Sequence, residues 1–136
     1  MLVESKGVPI ALEVGPAQRP DVKLLAGTLE GVVVEPPDPD EQKQHLSLDK
    51  AYAGEPAQHL AEEKGYEVHI PDKTNATKKR KRKGGRRKAR RWVVEVTHSW
   101  LNRFRRLLVR WEKKTSNYLS MLYFACAIIC WRKCEV

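Results

Sequence analysis

The sequence predicts an α/β fold, and three observations along its 136 residues lead to that class. Near the N-terminus two short apolar segments flank a turn, as in a β-hairpin. In the middle, a strand pattern, a helix pattern and a second strand pattern follow one another within about 25 residues. Towards the C-terminus two long segments carry apolar residues at helical spacing.

The first 40 residues predict a hairpin and a short helix. Residues 2–4 and 8–14 form its two strands, joined by a Ser-Lys-Gly turn at 5–7. A strand pair this short needs other elements to pack against. Apolar residues at helical spacing predict a helix over 21–29, and the prolines at 36–39 then predict a linker.

The middle of the chain predicts a βαβ unit. Residues 45–52, HLSLDKAY, alternate apolar and polar side chains as a half-buried strand does. A helix is expected over 55–64, ended by Gly65, and a second strand over 66–70. Such a unit implies two parallel strands and a right-handed crossover.

The C-terminal half begins with a segment that lacks apolar periodicity. Residues 72–89 contain adjacent glycines and many like charges, so we expect a basic, mobile loop. An amphipathic helix of about six turns is predicted over 90–113, and a helix over 117–131 is apolar on nearly all sides and expected to be buried. Three tryptophans follow the apolar stripe of the long helix and are expected in the core: Trp92, Trp100 and Trp111.

The charge is distributed unevenly along the chain. The net charge is +9, yet residues 1–72 carry 6 basic and 14 acidic groups, while residues 73–136 carry 20 and 3. Of those 20 cations, 11 lie within 78–91. A polyanion is therefore the first partner to expect.

The same composition argues against a secreted or membrane-embedded protein. The N-terminus lacks a secretory signal pattern, and the longest apolar run, at 118–131, is shorter than the roughly 20 residues that a membrane span needs. The three cysteines all lie in the last 11 residues, which favours reduced thiols. Their i, i+4, i+8 spacing fits packing on a helix better than a zinc site.

Two acidic residues are candidates for chemistry. On a helical wheel Glu95 lies about 150° from the centre of the apolar stripe, near Arg91 and Arg106. On the pattern alone, an exposed face with an Arg91–Glu95 pair is the favoured interpretation. Asp49 lies near the C-terminal end of its strand, where α/β sheets place ligands, although a lone acid there is often a turn residue.

Two segments that contain these acids closely resemble catalytic motifs of the DDE transposases of bacterial insertion sequences. Residues 46–52, LSLDKAY, resemble the second motif, and residues 91–113, RWVVEVTHSWLNRFRRLLVRWEK, resemble the third. Residues 7–25 resemble the stretch between the first and second acids, and residues 117–131 the C-terminal helix. The resemblance covers nearly the whole chain.

The resemblance implies a ribonuclease-H-like fold, here incomplete, with a mixed sheet and C-terminal helices. It implies that Asp49 and Glu95 are two of three carboxylates that hold a pair of Mg²⁺ ions. Hard cations prefer oxygen ligands, and such a pair assists phosphodiester cleavage and strand transfer. Arg91, Arg103 and Arg106 are expected near the scissile phosphate of the DNA.

The sequence departs from the family pattern at two positions. The first catalytic Asp of the family precedes the hairpin, whereas this sequence opens within the first hairpin strand, and Val96 stands where the family has an Arg. We therefore expect residues 1–136 to be the C-terminal part of a bacterial, cytoplasmic, nucleoid-associated transposase, inactive until an upstream segment completes it. Two alternatives remain open, a non-catalytic DNA-binding protein and an unstable remnant; a homo-oligomer is also open.

The basic run is expected to contact the DNA backbone through counterion release, without sequence preference. The residues assigned to this role, in addition to Arg103 and Arg106, are Lys78, Lys79, Arg80, Lys81, Arg82, Lys83, Arg86, Arg87, Lys88, Arg90 and Arg91.

Overall fold

The computed structural model describes residues 1–38, 40–71 and 92–134. It is a mixed α/β structure with short strands and several helices. In chain order the elements are β1 (Leu2–Val3), β2 (Pro9–Ala11), α1 (Leu25–Glu30), β3 (Gln44–Ser47), α2 (Glu55–Glu63), β4 (Tyr66–His69), α3 (Trp92–Leu101), α4 (Arg105–Leu108) and α5 (Thr115–Cys134). Short 3-10 helices at Asp21–Leu24 and Lys50–Tyr52 complete the set. The predicted loop at 72–89 lies outside the described residues.

The chain divides into two compact units. Met1–Glu35 and Trp92–Val136 form one, here called the hairpin unit, and Pro36–Arg91 form the other, here called the βαβ unit. In the described part of the chain the strands form two separate two-stranded sheets, one in each unit, rather than the single mixed sheet that was predicted. The hairpin and the parallel pair are each hydrogen-bonded within their own unit.

The βαβ unit has the predicted parallel pairing. Strands β3 and β4 pair in register, with Leu46 opposite Val68. Helix α2 packs against β4, and the small side chains of Ala57 and Ala61 on α2 are buried, as is Leu46 on β3. Since side chains alternate between the faces of a strand, the residues on either side of Leu46 point to the face opposite α2. One face of the strand pair is therefore apolar and the other polar.

The hairpin turn in the hairpin unit depends on Gly7. The backbone N–H of Gly7 donates to the Glu4 carbonyl at 3.0 Å, and Gly7 has φ +87°, a conformation that side-chain-bearing residues rarely adopt. The turn packs on α3, where Thr97 and Trp100 lie against the α-carbon of Gly7. The predicted hairpin with its turn at 5–7 is confirmed, although its second strand covers Pro9–Ala11 rather than 8–14.

The prediction of one long helix over 90–113 is wrong. Helix α3 ends at Leu101, and the backbone of Phe104 is extended, with φ −84° and ψ 103°, before α4 begins. This break lets Phe104 and Leu107 pack on a core cluster that Leu101 forms with Ala125, Cys126 and Ile129. Tertiary packing against α5 thus overrides the helical periodicity.

The aromatic residues occupy the surface more than the sequence predicted. Trp92 and Trp111 are 60% and 74% exposed, so only Trp100 of the three expected core tryptophans is even partly buried. The expectation that the last helix is buried also fails, because Phe124 and Trp131 of α5 face outward.

Candidate functional site

Asp49 is held at the end of β3 by local backbone geometry. Strand β3 ends at Ser47, so the prediction that the strand reaches residue 52 is wrong, because a 3-10 helix starts at Lys50. The Asp49 side chain caps that helix by accepting a hydrogen bond from the Lys50 N–H. Leu48 donates its N–H to the His69 carbonyl at 3.0 Å, which extends the pairing up to the residue before Asp49. The exposed Asp49 carboxylate therefore sits at the carboxyl end of a fixed parallel strand pair.

Glu95 lies on the exposed side of α3. Val93, Thr97 and Leu101 are buried at spacings of four residues and define the inner side of the helix. Glu95 is two residues from both Val93 and Thr97, or about 200° around the helix axis. Its exposure agrees with the position expected from the helical wheel. Its proposed ion-pair partner Arg91 lies outside the described residues.

The arginines predicted to lie near Glu95 do not all share its helix. Arg103 is exposed in the turn that follows α3. Arg106 lies on α4, and its guanidinium is 3.4 Å from the carboxylate of Glu112. The prediction that Arg106 lies on the same helical face as Glu95 is wrong, because α3 ends five residues before it.

The units divide the predicted site residues between them. Asp49 belongs to the βαβ unit, whereas Glu95, Arg103 and Arg106 belong to the hairpin unit. The basic positions 78–91 lie outside the described residues. The described structure therefore defines the local setting of each acid within its own unit.

The face of α3 that carries Glu95 also carries His98. Surrounding protein atoms partly desolvate its imidazole, which lowers the pKa of His98 below its ordinary value, and the positive α-amino group of Met1 lowers it further. The ring is therefore held more strongly in its neutral form than a free histidine.

A cluster that sequence reasoning missed lies on the polar face of the β3–β4 pair. The ligand atoms of His45, Glu67 and His69 all lie within 4.8 Å of one another. His45 stands opposite Glu67 in the register, and His69 follows Glu67 by two residues on the same face. The strand patterns contained a usable signal, since these residues occupy the polar positions of two segments predicted to pair. The exact register was needed to bring them together.

Comparisons with known proteins agree with the motif resemblance. The sequence model of the transposase DDE domain family matches residues 1–130. A Burkholderia cepacia protein, whose name assigns it as the transposase of insertion sequence element IS402, is 28% identical over 137 aligned residues. That alignment covers 96% of this chain and 61% of the relative, so the chain spans less than two thirds of the relative's length. No solved structure matches the chain significantly.

Within residues 1–38, 40–71 and 92–134, no helix is long and apolar enough to cross a bilayer.

The family match covers almost the whole sequence and includes both motif acids, Asp49 and Glu95. The chain belongs to the transposase DDE domain family of insertion sequences.

Proposed function

We propose that these residues form the C-terminal part of a transposase catalytic domain with a ribonuclease-H-like fold. In this proposal the domain cleaves phosphodiester bonds at the ends of an insertion element and joins them to target DNA, in the bacterial cytoplasm on the nucleoid. The observation that carries it is the family match over residues 1–130, which includes the Asp49 and Glu95 motifs. The parallel strand pair that ends just before Asp49 supports the proposed fold.

The donor chemistry of the two acids fits the divalent metal ions that the family generally uses. Both carboxylates are exposed, and oxygen donors of this kind suit Mg²⁺. Mg²⁺, when bound, would polarise the phosphodiester and stabilise the attacking and leaving oxygens. The role of Asp49 and Glu95 is to offer negatively charged oxygens from fixed backbone positions, one after a strand and one within a helix.

Transposases act on DNA, and we assign the phosphate contacts to basic residues. Arg103 is exposed in the turn before α4 and Arg105 is exposed on α4, and the residues at 78–91 add eleven further cations. Each cation that neutralises a phosphate releases a counterion, so binding should weaken steeply as salt rises. Arg106 is partly neutralised by Glu112 and should contribute less than Arg103.

We further propose that the 136 residues are inactive alone. Two of the three family acids are present, and Val96 replaces a cation beside Glu95. A pair of metal ions bridged by three carboxylates should bind weakly to two. The chain would then gain activity when an upstream segment supplies the first acid.

The test compares two forms of the protein on supercoiled DNA that carries insertion-element ends, with Mg²⁺ or Mn²⁺. The chain alone should leave the DNA intact, and the chain joined to a segment with the first family acid should nick it. Asp49→Ala and Glu95→Ala should each abolish nicking, while Glu62→Ala, which removes another exposed acid, should not. Nicking by the chain alone that Asp49→Ala removes would refute the proposed inactivity. Nicking by the joined form that survives both motif substitutions would refute the assigned acids.

A further inference from the structure

The cluster of His45, Glu67 and His69 has the composition of a transition-metal site. The His45 Nδ1 and His69 Nε2 atoms are 2.9 Å apart. The Glu67 carboxylate spans the pair, with Oε2 at 3.7 Å from His45 Nδ1 and Oε1 at 3.8 Å from His69 Nε2. Three potential ligand atoms thus face one small volume.

These distances agree with the geometry of metal coordination. Two nitrogens bound to one zinc ion at about 2.0–2.1 Å lie about 2.9–3.4 Å apart for bond angles between about 90° and 109°. The two imidazoles already have this spacing. Each carboxylate oxygen lies near one of the two nitrogens, and because Glu67 is exposed its side chain can turn to place one oxygen beside the metal. The protein supplies three ligands, which leaves a coordination position for water.

The backbone holds the cluster in place. His45 is anchored in β3, while Glu67 and His69 are anchored in β4, and the parallel register sets the separation of the two strands. On the other face of this pair lie Leu46 and helix α2. The cluster therefore stands on a small sheet whose opposite side is packed.

We propose that His45, Glu67 and His69 form a site for a divalent transition metal of the zinc class, which cross-links β3 to β4. Two imidazole nitrogens and one carboxylate oxygen favour Zn²⁺, Ni²⁺, Co²⁺ or Cu²⁺ over Mg²⁺, which prefers oxygen ligands alone. This site is separate from the Mg²⁺ chemistry assigned to Asp49 and Glu95. It stands whether or not the proposed catalytic function is correct.

The consequence of the cross-link is stability of the βαβ unit. The buried apolar side chains of this unit are few, and two of them, Ala57 and Ala61, are small. Its hydrophobic core is therefore modest. A metal that binds the folded strand pair and not the unfolded chain raises stability by mass action. Since Asp49 lies two residues beyond the end of β3, the cross-link would also steady the strand end that presents this acid.

The test is a Co²⁺ and Zn²⁺ titration of the untagged full chain carrying Cys134→Ser, because Cys134 is an exposed thiol that could bind either metal. The visible absorption of bound Co²⁺ measures Co²⁺ binding, and the loss of that absorption when Zn²⁺ displaces Co²⁺ measures Zn²⁺ binding. One equivalent should bind, and millimolar Mg²⁺ should not displace it. His45→Gln and His69→Gln should each weaken binding by at least about tenfold.

The matched control is His59→Gln on α2. His59 also lies next to a carboxylate, since its Nδ1 is 3.4 Å from Glu63 Oε1. Among the described residues, however, it belongs to no group of three potential metal ligands. It should bind metal as the parent does. Zn²⁺ should also raise the thermal midpoint of the parent and of His59→Gln, and leave those of His45→Gln and His69→Gln unchanged.

Two results would overturn the proposal. Equal affinity in the parent and in both cluster variants would mean that the imidazoles only hydrogen-bond to each other. A second measurement on the parent does not depend on how the variants fold. Zn²⁺ should shift the ring resonances of two of the four histidines in NMR spectra, His45 and His69, and shifts confined to His59 or His98 would refute the site.

Discussion

The side chain of Thr97 donates a hydrogen bond of 2.6 Å to the carbonyl oxygen of Gly7, ninety residues earlier in the chain. Thr97 is completely buried, and Gly7 is buried as well. The bond fastens the hairpin turn to the helix that carries Glu95. Since Glu95 and Thr97 lie on opposite sides of α3, the contact orients the helix from behind the acid.

Thr97→Val should destabilise the protein by about 1–3 kcal/mol, because it leaves the buried Gly7 carbonyl without a donor. Valine keeps the shape of threonine, so packing changes little. The free energy of unfolding from urea titration measures the loss. Thr97→Ser keeps the hydroxyl and should retain more of the stability; a Thr97→Val variant as stable as the parent would contradict the role of this hydrogen bond.

Gly7→Ala should cost about 1–2 kcal/mol from its positive φ alone. An added Cβ would also lie 3.2 Å from Thr97 Oγ1 and 3.3 Å from the Trp100 ring, closer than an ordinary contact. Gly54→Ala is the control, since Gly54 has an extended backbone and its nearest neighbour, Pro56 Cδ, is 3.7 Å away. The same urea titration should show the larger loss for Gly7→Ala, and the reverse order would contradict the turn geometry.

The three cysteines of α5 should react with Ellman's reagent at different rates. Burial, and then the neighbouring Cys130, raise the pKa of the Cys126 thiol to about 11, so at pH 8 it holds very little reactive thiolate. Burial also raises the pKa of Cys130, whose thiol donates to the Pro9 carbonyl at 3.5 Å. Cys134 is exposed and should react first. Cys134→Ser should remove the fast phase and Cys126→Ser should leave it; a fast phase that persists in Cys134→Ser would be contrary to this arrangement.

Stability should fall on acidification in part through His98. Its pKa is lower in the folded protein than in the unfolded chain, so the folded state binds the proton less readily. The contribution is complete above the unfolded pKa of about 6.5 and is lost as the pH falls through the folded pKa. Urea midpoints between pH 5 and 8 should decline less steeply in His98→Gln than in the parent. Parallel curves would show that the imidazole titrates alike in both states.

The local elements of the fold were predictable from the sequence. The alternation within HLSLDKAY and the glycine after α2 indicate strand, helix and strand, because these patterns depend on near neighbours. The break in the predicted long helix was not predictable from the sequence, because Phe104 and Leu107 continue the helical spacing of the apolar residues. Their packing on Leu101 and Ile129 determines the break, and that contact appears only in three dimensions.

In the candidate site, too, local features could be predicted from the sequence and features that depend on tertiary structure could not. Asp49 and Glu95 were found by motif resemblance, which periodicity alone could not have supplied. The orientation of Glu95 was predictable, because the buried spacing of Val93 and Thr97 is local to one helix. The cluster at His45 required the parallel register, since its members come from two strands separated in the chain.

The division of the chain also has a consequence for folding during synthesis. The hairpin unit is discontinuous, because Met1–Glu35 must wait for Trp92–Val136, whereas the βαβ unit is one uninterrupted segment. As the ribosome delivers the chain from its N-terminus, the inserted segment can fold first and the two halves of the hairpin unit can join only at the end. Until then the apolar strands β1 and β2 lack α3 and α5, the helices that pack against them. A pause in translation just before α3 would therefore expose them to proteases and to aggregation.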